Sequence, residues 1–206
     1  MIARLASQNA HKARELERLL PDWTVEPLDA DVEFPPETGE TYYENARAKA
    51  LFGRSVAPGD VWTIGEDSGI EIAALGGGPG VRSARSGGGD PVGWLLSELE
   101  GVAGEGRHAR YVSELVAVSP DGAELRGAGT LDGRIAHDPR GSEGFGFDPI
   151  FVPDGEERTV AELGDEWKAR NSHRARAARA LVEAITRAPA PPRAPGARAA
   201  DASPRS

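Results

Sequence analysis

Apolar residues recur along the chain in short runs, separated by polar and glycine-rich stretches. Ile2–Ala6 is a short apolar strand. Between His11 and Leu20 the apolar positions Ala13, Leu16, Leu19 and Leu20 keep helical spacing, and Pro21 ends the helix. Val25–Leu28 reads as a second strand. Thr41–Ser55 reads as a helix opened by a capping box, with Thr41 as N-cap and Glu44 three residues on. Val61–Gly65 is strand-like, and Ile70–Ala73 continues after a turn. Residues 75–90 predict a glycine-rich loop. Asp90-Pro91 supplies the N-cap and first position of a helix running to Leu99. His108–Ser119 and Ala123–Ile135 form an antiparallel pair around the turn Pro120-Asp121-Gly122. Pro149–Val152 is a further short strand, and Asn171–Arg187 a final helix. Strand–helix units beside a hairpin predict an α/β protein with a mixed sheet.

The pattern stops at Ala188. Residues 188–206 are rich in Pro, Ala and Arg and carry no large apolar side chain, so a disordered tail is expected beyond a folded domain of residues 1–187. The absence of cysteine among the 206 residues excludes disulfides, thiolate metal sites and a cysteine nucleophile. No apolar run approaches the ~18 residues of a membrane span, and the first residues lack a signal peptide's apolar stretch. A cytoplasmic protein is expected. The formal charge of −9 opposes charge-driven nucleic-acid binding. The tail holds three arginines against one aspartate, which leaves about −11 on the remainder.

Of the 24 basic residues only Lys12, Lys49 and Lys168 are lysines, in a composition that favours arginine. A lysine retained in such a chain is a candidate point charge for a phosphate. Four segments could carry chemistry. The polar loop Ser7-Gln8-Asn9-Ala10-His11-Lys12 joins a strand to a helix, where backbone N–H groups can face a phosphate, although plain N-capping by Asn9 explains it equally well. Glu37 precedes the capped helix and Glu66-Asp67 ends a strand at Gly-Glu-Asp-Ser-Gly, a carboxylate arrangement suited to Mg²⁺ with substrate phosphates. Gly144-Phe145-Gly146-Phe147-Asp148 offers rings to a base and an acceptor to its N–H, or simply a core phenylalanine pair. Lys168, His173 and Arg174 gather at the entry to the last helix, where Ser172 is a candidate cap. No Walker A loop, dinucleotide fingerprint, serine-hydrolase elbow or His-Glu zinc motif is present.

Taken in order, these segments resemble the inosine triphosphatase family, the non-standard purine nucleoside triphosphate pyrophosphatases. The resemblance runs from Ile2 to about Leu181. It rests on S-x-N-x-x-K at 7–12, ETGETYYENARAKA at 37–50, EDSGIEIAALGGGPGVRSAR at 66–85, GFGFDPIFVPDG at 144–155, and the Ala-Glu-Leu, Lys and Ser-His-Arg positions of 161–177. All three lysines fall inside these motifs. The chain departs from the family pattern at Ala10-His11, where Pro-Gly is common, at Glu66, where Asp is more frequent, and at Arg82 and Ser86, where aromatics are common.

The resemblance implies an elongated α/β fold, a mixed sheet flanked by helices with a cleft between two lobes. It implies a homodimer that hydrolyses ITP, dITP and XTP to the monophosphate and pyrophosphate with Mg²⁺. By the same resemblance Asp67 is the general base or metal-linked carboxylate, and Glu37 and Asp67 are metal ligands. Ser7, Gln8, Asn9, Ala10, His11, Lys12 and Ser68 bind the triphosphate. Phe145, Gly146, Phe147 and Asp148 stack on and edge the purine, and Lys168, His173 and Arg174 contact the base and nearby phosphates. Lys49, in a helix next to the site, is left without a role, since packing or a surface pair explains it equally well. The chemistry is coherent. Ionised Asp67 beside Glu66 and Glu37 needs a cation, and donors from Arg174 or the His173 region can reach a 6-oxo oxygen, whereas the 6-amino group of adenine offers no acceptor there. Competing readings are a pyrophosphatase for pyrimidine or modified nucleotides, a nucleotide sensor without catalysis, and a nucleic-acid binder using the basic last helix and tail.

Overall fold

The computed structural model describes residues 1–188 apart from Gln8 and Ala30, so the expected tail lies, from residue 189 on, outside the described residues. Strand β1 (Ile2–Ala6) runs parallel to β2 (Thr24–Pro27) on one side and to β3 (Trp62–Ile72) on the other. From β3 the sheet continues antiparallel through β5 (His108–Val118), β6 (Glu124–Ile135) and β7 (Phe151–Pro153), and β4 (Pro79–Gly80) pairs with the end of β3. This is the expected mixed sheet. Helices α1 (Ala10–Leu19) and α6 (His173–Arg187) cover one face, and α2 (Tyr42–Val56) covers the other. Helices α3 (Pro91–Glu98), α4 (Val160–Leu163) and α5 (Asp165–Asn171) complete the fold. Among the described residues no helix is long and apolar enough to cross a membrane.

Local signals set several elements. The Thr41 hydroxyl accepts from the Glu44 N–H at 3.1 Å, and the Glu44 carboxylate accepts from the Thr41 N–H at 3.0 Å, a complete capping box. Asp90 caps α3 through the Gly93 N–H, with Pro91 at its first position. Ser172 caps α6 by accepting from the Ala175 N–H.

Other expectations are corrected. β3 does not end at Glu66-Asp67. It runs unbroken to Ile72, paired with β5 from Thr63↔Val118 to Ile72↔Ala109. The Gly-Glu-Asp-Ser-Gly stretch has turn composition, but a long partner strand satisfies its backbone and helices on both faces satisfy its side chains. Residues 160–171 form α4 and α5, which the apolar pattern does not reveal. The last helix begins at His173 rather than Asn171, and β7 lies a residue or two beyond its expected place.

Alternation along β3 divides the molecule. Ile64, Ile70 and Ile72 point to the α1–α6 side, as do Leu115, Ala117 and Tyr111 of β5. They belong to two apolar clusters on the same face. One contains Leu5, Leu16, Ile64, Leu115 and Leu181, and the other Ile70, Ile72, Leu95, Tyr111, Phe147 and Phe151. The step between them is polar: Glu66 and Ser68 of β3 and Ser113 of β5, with Ser68 opposite Ser113. This gap between two cores gives physical content to the expected pair of lobes. Two glycines bring the helices that carry polar groups close to the sheet. A side chain at Gly65 would collide with the Ala46 carbonyl of α2, and one at Gly129 with the His173 carbonyl of α6.

Candidate active site

Glu66 is fully buried at the polar step. Its Oε1 accepts from Arg174 Nε at 3.1 Å and from the Ser113 hydroxyl at 3.3 Å, and Oε2 lies 2.7 Å from Lys12 Nζ. Burial alone would raise its pKa, but Lys12 and Arg174 hold it well below the usual carboxylate range. Arg174 is equally buried. Besides Glu66 its guanidinium donates to Ser68 Oγ at 3.0 Å and to the Glu15 carboxylate. Nε and both terminal nitrogens each have a partner, which ties α6 to β3 and α1, while the guanidinium keeps N–H groups beyond these bonds and Arg174 lines the first cavity.

Asp67 leaves β3 on the opposite face, toward α2. Its Oδ2 accepts from Asn45 Nδ2 at 3.2 Å and its Oδ1 from Lys49 Nζ at 2.9 Å. Burial raises its pKa against the pull of Lys49. Lys49 Nζ also contacts Glu37 Oε1 at 2.5 Å and donates to the Glu66 carbonyl at 3.1 Å. Although burial opposes its charge, Asp67 and Glu37 hold the Lys49 pKa above its ordinary value. Arg85 adds a second cation on Glu37 at 2.7 Å. Glu37 and Asp67 are thus brought together as expected, around a lysine that had no assigned role. Their oxygens converge on one cationic point, so their donor chemistry fits a divalent ion. Among the described residues no group of three or more His, Cys, Asp or Glu side chains is placed to hold a metal. Two carboxylates completed by substrate oxygens and water is the usual arrangement for Mg²⁺.

Two adjoining cavities flank these groups. The first, about 230 Å³, is lined by Phe145, Gly146, Phe147, Asp148, Lys168, His173 and Arg174, with Tyr111 and Ser68. Asp148 is held on three sides. Its Oδ2 accepts from Lys168 Nζ and from the Phe145 N–H, both at 2.8 Å, and its Oδ1 from the Tyr111 hydroxyl at 3.4 Å. Lys168 also contacts Glu15 Oε1 at 2.5 Å and lies 4.5 Å from the centre of the Phe145 ring. The buried His173 ring stacks on Tyr111 at 4.5 Å. Burial keeps His173 neutral by pushing its pKa well below 6.5, and among the described residues its Nδ1 has no hydrogen-bond partner.

The two phenylalanines separate. Phe145 stands at the cavity 5.1 Å from the His11 ring, whereas Phe147 is buried in the second apolar cluster, a core residue whose edge lines the cavity. Gly146, at φ +62, turns the chain between them.

The second cavity, about 240 Å³, is lined by Ser7, Asn9, Lys12, Glu37, Asn45 and Lys49 among others, and shares Asn9, Lys12 and Ala84 with the first. Asn9 Oδ1 accepts from the N–H groups of His11 and Lys12, and Ser7 Oγ from the N–H of Asn9. The loop spends these donors on its own cap, which is the N-capping reading, and Lys12, paired with Glu66, is its one lysine on both cavities. Ala10 begins α1, His11 is exposed beside the Phe145 ring, and Gln8 lies outside the described residues.

Sequence reasoning missed Glu15, Asn45, Lys49, Arg85 and Tyr111 as parts of this network. Asn45 and Lys49 stand four residues apart on α2, and Lys12 and Glu15 three apart on α1, spacings that put each pair on one helical face. Tyr111 and Arg85 carry no comparable local signal.

The Ham1 family model matches residues 3–184. A protein of Thermus thermophilus described as a dITP/XTP pyrophosphatase is 43% identical over 194 residues, covering 91% of this chain and 93% of its own. One of the same description from Symbiobacterium thermophilum is 45% identical over 192 residues, covering 90% and 94%. The solved structure of a HAM1 protein from Coxiella burnetii superposes with a TM-score of 0.77 at 34% identity, covering 91% of this chain and all of that one.

Proposed function

The chain belongs to the Ham1 family, and from that membership we propose that it hydrolyses the non-standard purine nucleoside triphosphates dITP, XTP and ITP to the monophosphate and pyrophosphate. The observation that carries this reading is the junction of two cavities through Asn9 and Lys12. One offers an aromatic ring, a buried carboxylate and a lysine to a base, and the other offers Lys12, Lys49 and Glu37 to a triphosphate, with Asp67 behind Lys49.

Water must attack the α-phosphorus as pyrophosphate leaves, and most of the acceleration comes from positioning and charge stabilisation. Asp67 faces the second cavity's lysine with a pKa raised by burial, as suits a group that takes a proton from water. Lys12 and Lys49 stand on that cavity to meet the phosphates. Glu37 and Asp67 would hold Mg²⁺, which supplies charge neutralisation to the triphosphate when bound. Lys168 has three donors, of which Asp148 and Glu15 take two. The third is available to a 6-oxo oxygen, and the 6-amino group of adenine cannot accept it. Phe145 supplies the stacking surface. The family likeness also supports a homodimer working in the cytoplasm.

The test is pyrophosphate release from ITP, XTP, dITP, GTP and ATP with Mg²⁺, for the unmodified protein and Asp67→Asn. Cleavage of ITP, XTP and dITP, lost on chelation and in the variant, is expected. ATP or pyrimidine nucleotides cleaved in preference would overturn the base assignment.

A further inference from the structure

We infer that Lys49 is a built-in counter-ion that competes with the divalent metal, so that the protein without nucleotide binds the metal weakly and acquires it together with the triphosphate. This rests on the reading of Glu37 and Asp67 as the metal carboxylates and goes beyond it. The three hydrogens of the Lys49 ammonium meet three acceptors: Glu37 Oε1 at 2.5 Å, Asp67 Oδ1 at 2.9 Å and the Glu66 carbonyl at 3.1 Å. The ammonium stands where the two carboxylates converge, the place a metal would share with them. Asn45 occupies the other oxygen of Asp67, and Arg85 the other oxygen of Glu37.

The charge count points the same way. Glu37 and Asp67 carry two negative charges, and Lys49 and Arg85 carry two positive ones. A neutral cluster has little net attraction for a free divalent ion, and a metal entering it must also displace an ammonium. A triphosphate changes both terms. Lys49 lines the cavity shared with Lys12 and Ser7, and its flexible four-carbon stem lets the ammonium turn to phosphate oxygens without leaving that cavity. The carboxylate pair is then released to the metal that the nucleotide carries. The order of events follows: metal-loaded nucleotide binds, and free metal does not precede it.

The experiment measures Mn²⁺ alone, by calorimetry and by its paramagnetic resonance signal, on the full chain without nucleotide. Lys49→Met removes the charge. Lys49→Gln removes it but keeps an amide donor for Glu37 and Asp67, which protects the fold. Both are expected to bind Mn²⁺ about tenfold or more tightly than the unmodified protein, and Lys49→Arg to stay as weak as the unmodified protein. Unchanged or weaker Mn²⁺ binding in both neutral variants, each shown folded by circular dichroism, overturns the counter-ion role. The two readings fail separately. If ITP is cleaved but the neutral variants gain no Mn²⁺ affinity, the counter-ion role falls and the substrate assignment stands. If Mn²⁺ affinity rises but no purine triphosphate is cleaved, the substrate assignment falls and the counter-ion role stands.

Discussion

Glu66 and Asp67 are adjacent in the chain, yet their carboxylates leave β3 on opposite faces. Glu66 meets Lys12 of α1 and Arg174 of α6, and Asp67 meets Asn45 and Lys49 of α2. The pleat turns a like-charge pair, costly if both groups shared one site, into two separately neutralised positions. One is a fully buried tie between α1, β3 and α6, and the other is joined through Lys49 to the second cavity.

That division predicts different consequences for two isosteric changes. Glu66→Gln leaves Lys12 and Arg174 short of their buried anion and should cost about 3–5 kcal/mol of stability, read as a fall in the denaturant midpoint. Asp67→Asn should reduce pyrophosphate release by about 10²–10⁴-fold with a much smaller shift of that midpoint. Equal losses of stability in both would contradict the division of labour.

His173 ties stability to pH. Burial depresses its pKa well below the ordinary 6.5, so below about pH 6.5 the unfolded chain binds a proton that the folded chain refuses. Stability therefore falls with pH through that window, at up to about 1.4 kcal/mol per pH unit from this one group. Denaturant melts between pH 7.5 and 5.5 should show a shallower slope for His173→Gln than for the unmodified protein. Glu66 adds its own loss only at lower pH. Its depressed pKa makes its contribution full above its ordinary 4.5, and that contribution disappears as pH falls below this value.

Lys168 is expected to set base choice. Replacing it with Met removes a charged donor, and kcat/KM for ITP should fall about 10–100-fold. The low rate with ATP, whose 6-amino group cannot accept this donor, should hardly change. A parallel fall for both nucleotides would make Lys168 a general anchor of Asp148 and Glu15 instead.

Gly65 controls the distance between α2 and the sheet. A methyl group there would strike the Ala46 carbonyl, so Gly65→Ala must push away the helix that carries Asn45 and Lys49. A destabilisation of about 3 kcal/mol together with lost pyrophosphate release is expected, whereas Gly59→Ala, at a position with open space around it, should change neither.

Much of this architecture is written in short-range patterns. The α1 periodicity, the Thr41–Glu44 capping box, the Asp90-Pro91 start and the β5–β6 hairpin each depend on residues a few positions apart, so local chemistry determines them. The motifs that hold Lys12, Glu37, Asp67, Phe145, Asp148, Lys168 and Arg174 were legible for the same reason, and so was the family. The partners of these residues were not. Arg174 finds Glu15 and Glu66, Lys49 finds Glu37 and Asp67, and Tyr111 finds Asp148 only after distant strands and helices pack. No local rule selects among the many charges that could pair across such separations. The same holds for β3, whose turn-like composition is overridden by a long partner strand and by cations on both faces. Composition determined which groups the chain could bring to a nucleotide. Tertiary packing decided which of them are spent inside the protein and which remain for the ligand, because a buried charge must be neutralised by whatever the fold places beside it.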